Sequence, residues 1–145
     1  MKCIILFFLL LPTTRTPAQT YPTPVTDTLN YLRYIIANKQ QFIGLPFSTL
    51  HSNLQINVKM FLPHARIHKK QFSETGIGLA FKFAATAEAI GGTYPHLEIT
   101  WEPPYLNIDD ALDLKSLYER QGIGWNAIIY NRYQNMVIKN IFLYE

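Results

Sequence analysis

Phe42-Ile43-Gly44-Leu45-Pro46-Phe47-Ser48-Thr49-Leu50-His51-Ser52-Asn53-Leu54 is the stretch from which the rest of the chain can be placed. Gly44 can take φ > 0 without a Cβ clash, and Pro46 suits the start of a helix, where a missing N–H costs nothing. The stretch therefore reads as a loop that turns into a short helix. From Pro46 onward, Phe47, Leu50 and Leu54 recur at steps of three and four, which gives that helix one dry face. The dry face must pack on something, so the helix is expected to plug one end of a core and to lead the chain into a sheet.

Upstream, Leu29, Leu32, Ile35 and Ile36 form one stripe of a helix capped by Thr26 or Asp27 and ending near Asn38. Downstream, three strands are expected. The first spans Gln55 to Leu62, with Ile56, Val58, Met60 and Leu62 inward, and stops at Pro63. The second spans Ile77 to Phe83, with Ile77, Leu79, Phe81 and Phe83 inward. The third spans His96 to Trp101, with Leu97, Ile99 and Trp101 inward. Between the first two, His64 to Thr75 reads as a polar connection. An Ala-rich piece to Ala89 and the pair Gly91-Gly92 form a loose link before the third. Leu114, Leu117 and Tyr118 give helical spacing to Asn107–Gln121, with Asp109 or Asp110 as the cap and Gly122 as the stop. Trp125, Ile128, Ile129 and Tyr133 favour a short helix, although Ile128-Ile129-Tyr130 would also suit a strand. The chain closes with a strand from about Val137 to Tyr144. The result is an α+β domain, an antiparallel sheet of about four strands with helices packed on one face.

The first 18 residues stand apart. Lys2, an apolar run from Cys3 to Leu11 and a polar stretch ending in Thr16-Pro17-Ala18 have the form of a secretory signal, with cleavage after Ala18. The apolar run is well short of the roughly 20 residues a membrane span needs. Residues 19–25, with Pro22 and Pro24, form a spacer, and residues 26–145 a single domain. Cys3 is the only cysteine, so a chain cleaved after Ala18 has no thiol chemistry and no disulfide. The formal charge of +3 includes Lys2 and Arg15; without them 11 basic residues face 10 acidic ones, and a net +1 argues against a nucleic-acid partner.

The Phe-Ile-Gly-x-Pro-Phe helix start at Phe42–Phe47, the Ile-Thr-Trp-Glu strand at Ile99–Glu102 and the Ile-Lys-x-Ile strand at Ile138–Ile141 resemble those of uncharacterised small exported proteins of Bacteroidota-type bacteria. The resemblance spans most of the chain after the signal. It implies an exported domain and brings no activity with it. A fainter likeness is to the α+β domains of envelope-assembly lipoproteins and β-lactamase-inhibitor proteins, which also start a short helix with Ile-Gly.

Groups with catalytic potential are sparse. Glu98 and Glu102 flank Trp101 and could serve hydrolysis together with a histidine. Their four-residue spacing on one strand instead suits a solvated edge. His64 and His68 would share a face of a helix, as a two-histidine metal site requires, but Pro63 and the charged neighbours favour a loop. His51 belongs to the opening stretch. Asn107, Asp109, Asp110 and Asp113 loosely follow a calcium loop, yet Ala111 stands at a ligand position and the loop glycine is missing. Ser48, Ser52, Ser73 and Ser116 lack a nucleophile-elbow motif. No metal site and no cofactor is expected. What remains is a charge asymmetry. From Lys59 to Lys70 there are four bases and no acid, whereas from Glu98 to Glu119 six acids meet one base, Lys115. Arg66, Lys69 and Lys70 on one side, and Asp109, Asp110 and Asp113 on the other, are the candidate partner-binding residues. The leading expectation is a non-enzymatic binding module of the cell envelope or exterior, with a protein partner there and no stable membrane span. The alternative is a small hydrolase using Glu98 or Glu102 with a histidine.

Overall fold

The computed structural model describes residues 25–68, 71–82, 94–121 and 124–145. The expected signal, most of the spacer, Lys69, Lys70, Phe83, the Ala-rich and Gly91-Gly92 link and the stop at Gly122 lie outside the described residues. The fold is α+β, as the patterning predicts. Helices α1 (Thr28–Ala37) and α2 (Phe47–Asn53) precede strands β1 (Met60–His68), β2 (Gln71–Ala80), β3 (His96–Trp101) and the short β4 (Leu106–Asn107). Helices α3 (Ile108–Gln121) and α4 (Ala127–Tyr133) follow, and β5 (Ile138–Tyr144) closes the chain. The sheet is antiparallel in the order β1-β2-β3-β5, with β4 beside the outer half of β2.

Asp27 caps α1, its Oδ1 accepting the Asn30 N–H at 3.0 Å, and Tyr31, Leu32 and Ile35 are buried. In the opening stretch Gly44 has φ 77°, the conformation only glycine adopts freely. It turns the chain along the end of β5. Gly44 N–H donates to Ile138 O at 2.8 Å and Ile138 N–H to Leu45 O at 3.0 Å. The first turn of α2 has its free N–H groups satisfied from the same region: Phe47 donates to Met136 O and Ser48 to Gln134 O. Phe47 and Leu50 then enter the core. This element joins the N-terminal helices to the last strand as well as leading towards the first.

The third strand has the predicted bounds, and Leu97, Ile99 and Trp101 are buried. The last strand and the helix over Ala127–Tyr133 also follow the expectation; Asn126 caps α4, its Oδ1 accepting the Ile128 N–H at 2.8 Å. At α3 the cap is Asn107, whose Oδ1 accepts the Asp109 N–H at 2.9 Å. Asp109 and Asp110 instead occupy the first turn, where negative charge complements the helix dipole.

The first two strands differ from the expectation. Strand β1 starts at Met60, and residues 55–59 lead in without strand pairing, though Val58 is buried. Phe61, opposite Leu79, points into the core; Leu62 lies opposite Gly78 on the other face. Pro63 does not end β1, because an edge strand needs no ladder N–H on its outer side. The described parts of 64–75 are no polar connection: His64–His68 and Gln71–Thr75 are the outer halves of two paired strands, with His68 opposite Gln71. Its polar residues show no alternation because much of this half stands beyond the core, so backbone pairing alone makes it a strand. The ladder passes from His64↔Gly76 to Ala65↔Glu74, leaving Thr75 as an extra residue in β2. Strict alternation from Ile77 would turn Glu74 outward; the bulge turns it inward.

Candidate functional site

Of the basic candidate residues, Arg66 is described, on the outer half of β1 where it pairs with β2. Ile67 and Phe72 are cross-strand partners, 71% and 67% exposed. Arg66 is exposed beside them and lies opposite Ser73. On the other side of β2, Ser73 pairs with Asn107, which opens α3. Phe72, Tyr105, Leu106, Asn107 and Asp109 line a hollow of about 560 Å³ there. Asp109, Asp110 and Asp113 are exposed on α3. The two charged stretches, remote in sequence, are thus neighbours: β2 has Arg66 on one flank and the acidic start of α3 on the other.

Beneath this end is a polar cluster that sequence patterning does not reveal. Glu74 is completely buried. Tyr133 donates its hydroxyl hydrogen to Glu74 Oε1, and Arg132 Nη2 donates to Glu74 Oε2 at 2.9 Å. Arg132 Nη2 also donates to Asn107 O at 2.6 Å, and its Nη1 lies 3.7 Å from Asp110 Oδ2. Burial pushes the Glu74 carboxyl up, while the donors Tyr133 and Arg132 pull it back. Tyr133 is pushed up as well, first by burial and then by the carboxylate it faces. With no surface of its own, Glu74 cannot meet a substrate; it ties β2 to α4 and, through Arg132, to the β4–α3 junction. The only trace in the sequence is a lone acid, Glu74, in an otherwise acid-free run.

The other candidate groups are dispersed. Glu98 stands on the face of the sheet away from the helices, its Oε1 3.5 Å from His64 Nε2. Burial lowers the His64 pKa more than the adjacent carboxylate raises it, so the imidazole is neutral near pH 7. Glu102 lies past the strand end and is exposed; it joins Glu98 only in sequence. His96 is buried and stacks on Tyr144 with ring centroids 5.3 Å apart. His51 packs among the aromatic rings of Phe47 on α2, Tyr130 on α4 and Trp125 just before α4, with ring centroids 4.6 Å from Tyr130 and 5.8 Å from Trp125. The His68 side chain is outside the described residues. Among the described residues, no three His, Cys, Asp or Glu side chains gather to hold a metal ion, and no helix is long and apolar enough to cross a membrane. Comparison with known proteins finds no matching family model, no matching curated protein and no matching solved structure.

Proposed function

We propose that the chain is an exported, non-enzymatic binding module that docks a protein of the cell envelope or exterior through the tip of the β1–β2 hairpin. The observation that carries this reading is the exposed pair Ile67 and Phe72. Two large apolar side chains project into water where the core has already ended, so the fold gains little from them. An interface gains a great deal from such a pair, since buried aromatic and aliphatic anchors supply most binding energy. Arg66, with Lys69 and Lys70 next to it in sequence, supplies a basic rim suited to an acidic partner.

Replacing Ile67 and Phe72 together with Ser is expected to change stability by no more than about 0.5 kcal/mol in denaturant melts, as for other exposed positions. The same change should abolish docking. A photo-reactive side chain at position 72 should crosslink one defined envelope protein, and the same group at Thr49 on α2 should not. Against that purified partner, exchanging Arg66, Lys69 and Lys70 for Ser or Gln should slow association, and raised salt should slow the wild type in the same way. A triple variant that associates as fast as wild type at every salt concentration would leave the basic residues as a solvated rim. Normal binding by the double variant Ile67→Ser, Phe72→Ser would remove the proposal altogether.

Export is tested separately. Mass spectrometry of the native protein should find an N-terminus at or near Gln19 in the envelope or extracellular fraction. Intact Met1 in the cytoplasm would overturn the compartment.

The hydrolase reading now concerns Glu98 with His64, a neutral imidazole beside a half-buried carboxylate, which has the form of a general base. It requires ester or glycoside hydrolysis that disappears in Glu98→Gln.

A further inference from the structure

Across the outer ends of β1 and β2 the surface runs from a base, through an apolar pair, to an acid. Arg66 and Ile67 stand on β1 and Phe72 on β2. Beyond Phe72, β4 and the start of α3 bring Asp109, which lines the same hollow as Phe72. Among the described strands β1 lies at the edge of the sheet. Arg66 leaves it on the opposite face to Ile67, but no strand beyond β1 shuts the long side chain away, and it is exposed. The acidic side is held in place before anything docks. Ser73 and Glu74 pair with Asn107 and Leu106, Arg132 Nη2 donates to Asn107 O at 2.6 Å, and the Asn107 side chain accepts the Asp109 N–H. A wall that is already ordered lowers the cost of association.

The order of these groups decides what fits. A twofold axis through the apolar pair lays each side of the patch on the opposite side of the same patch in another copy. Ile67 and Phe72 then meet their own counterparts, and Arg66 of each copy faces Asp109 of the other, so the contact of base with acid is made twice. Edge-to-edge pairing of two copies along β1 is opposed by the same charges. Lys59 to Lys70 holds four bases and no acid, so bases would lie against bases, and Pro63 has no N–H to give. The chain after Ala18 carries a net charge of only +1, so two copies repel each other little.

We infer that the partner at this surface is a second copy of the chain, which rests on the docking reading of Ile67 and Phe72. The two copies form a twofold-symmetric dimer with Ile67 and Phe72 at its centre and Arg66 against Asp109 at both ends. The acidic partner that the basic rim suits is then the start of α3.

Sedimentation equilibrium of the purified protein should show a monomer–dimer equilibrium in about the micromolar range, as for small interfaces, and raised salt should weaken it. Arg66→Asp and Asp109→Arg should each raise the dissociation constant by about tenfold or more, because both symmetric contacts turn repulsive. An equimolar mixture of these two variants should recover the wild-type constant, since position 66 of each chain again faces the opposite charge at position 109 of the other. Ile67→Ser with Phe72→Ser should leave a folded monomer. A wild type that stays monomeric to about 1 mM would overturn the inference. So would a dimer indifferent to the Ile67→Ser, Phe72→Ser change, or weakened single variants whose mixture does not recover. The docking reading fails separately: a monomeric wild type that crosslinks a different envelope protein from position 72 removes only the second copy, whereas neither dimer nor crosslink removes both.

Discussion

Glu74→Ala is expected to lower the stability of the fold by about 3–5 kcal/mol, because removing one partner of a buried charge pair leaves the other uncompensated. Glu74 has no exposed surface, and Arg132 is itself only 15% exposed. Without the carboxylate, the Arg132 guanidinium keeps, among the described residues, only Asn107 O and the distant Asp110 as acceptors, and its Nε already finds none there. Tyr133 loses the acceptor of its hydroxyl in the middle of the core. Whole domains are stable by only about 5–15 kcal/mol, so denaturant melts should show a large displacement of the midpoint. Glu74→Gln, which keeps the shape and one acceptor oxygen, should cost less than Ala. Replacing Glu74 and Arg132 together with Met should cost less than the sum of the single changes, since no lone charge is left behind. A Glu74→Ala change below about 1 kcal/mol would mean that water or Asp110 takes over the pairing, and would remove the cluster as the link between β2 and α4.

Trp101→Ala is expected to cost a similar amount, roughly 3–5 kcal/mol, for a different reason. Trp101 is 1% exposed. Its ring meets Phe47 edge-on at 5.8 Å and stacks on Tyr133 at 6.0 Å, so truncation opens a cavity where the opening stretch meets the sheet. The neighbouring rings belong to separate, well-anchored helices and cannot close in without moving their backbones. The indole N–H has no hydrogen-bond partner among the described residues. Trp101→Phe should therefore be milder than its volume loss suggests, because it also removes an unsatisfied donor. Comparable melts for Trp101→Ala and wild type would place that side chain on the other face of the sheet, which a one-residue slip in β3 would do.

Against these two positions the sequence can be judged. Trp101 was legible: Leu97, Ile99 and Trp101 alternate with polar residues in six consecutive positions, and alternation is a local property that survives folding unchanged. The same holds for the cap and stripe that placed α1, for the Gly44-Pro46 turn and dry face of α2, and for the β-branched and aromatic composition that placed β5, whereas at α4 the local pattern left a strand as the alternative. Each depends on residues within one or two turns of chain. Glu74 was not legible. Nothing near it in sequence indicates burial, and its partners Arg132 and Tyr133 lie 58 and 59 residues away.

The sequence by itself thus determined the α+β class, the starts of α1 and α2 and the inward face of the third strand, because period, cap and turn chemistry act over a few residues. The tertiary structure alone decided that residues 64–68 and 71–75 are paired strand, that Ile67 and Phe72 are exposed cross-strand partners in them, and that Arg66 and the acidic start of α3 stand on either side of β2. It also decided the bulge at Thr75, which turns Glu74 inward against the alternation of its own strand. The physical reason is common to all of these. Strand pairing, bulges and buried charge pairs are satisfied by groups brought together only when distant segments meet, so the residues that take part carry no periodic mark of their own.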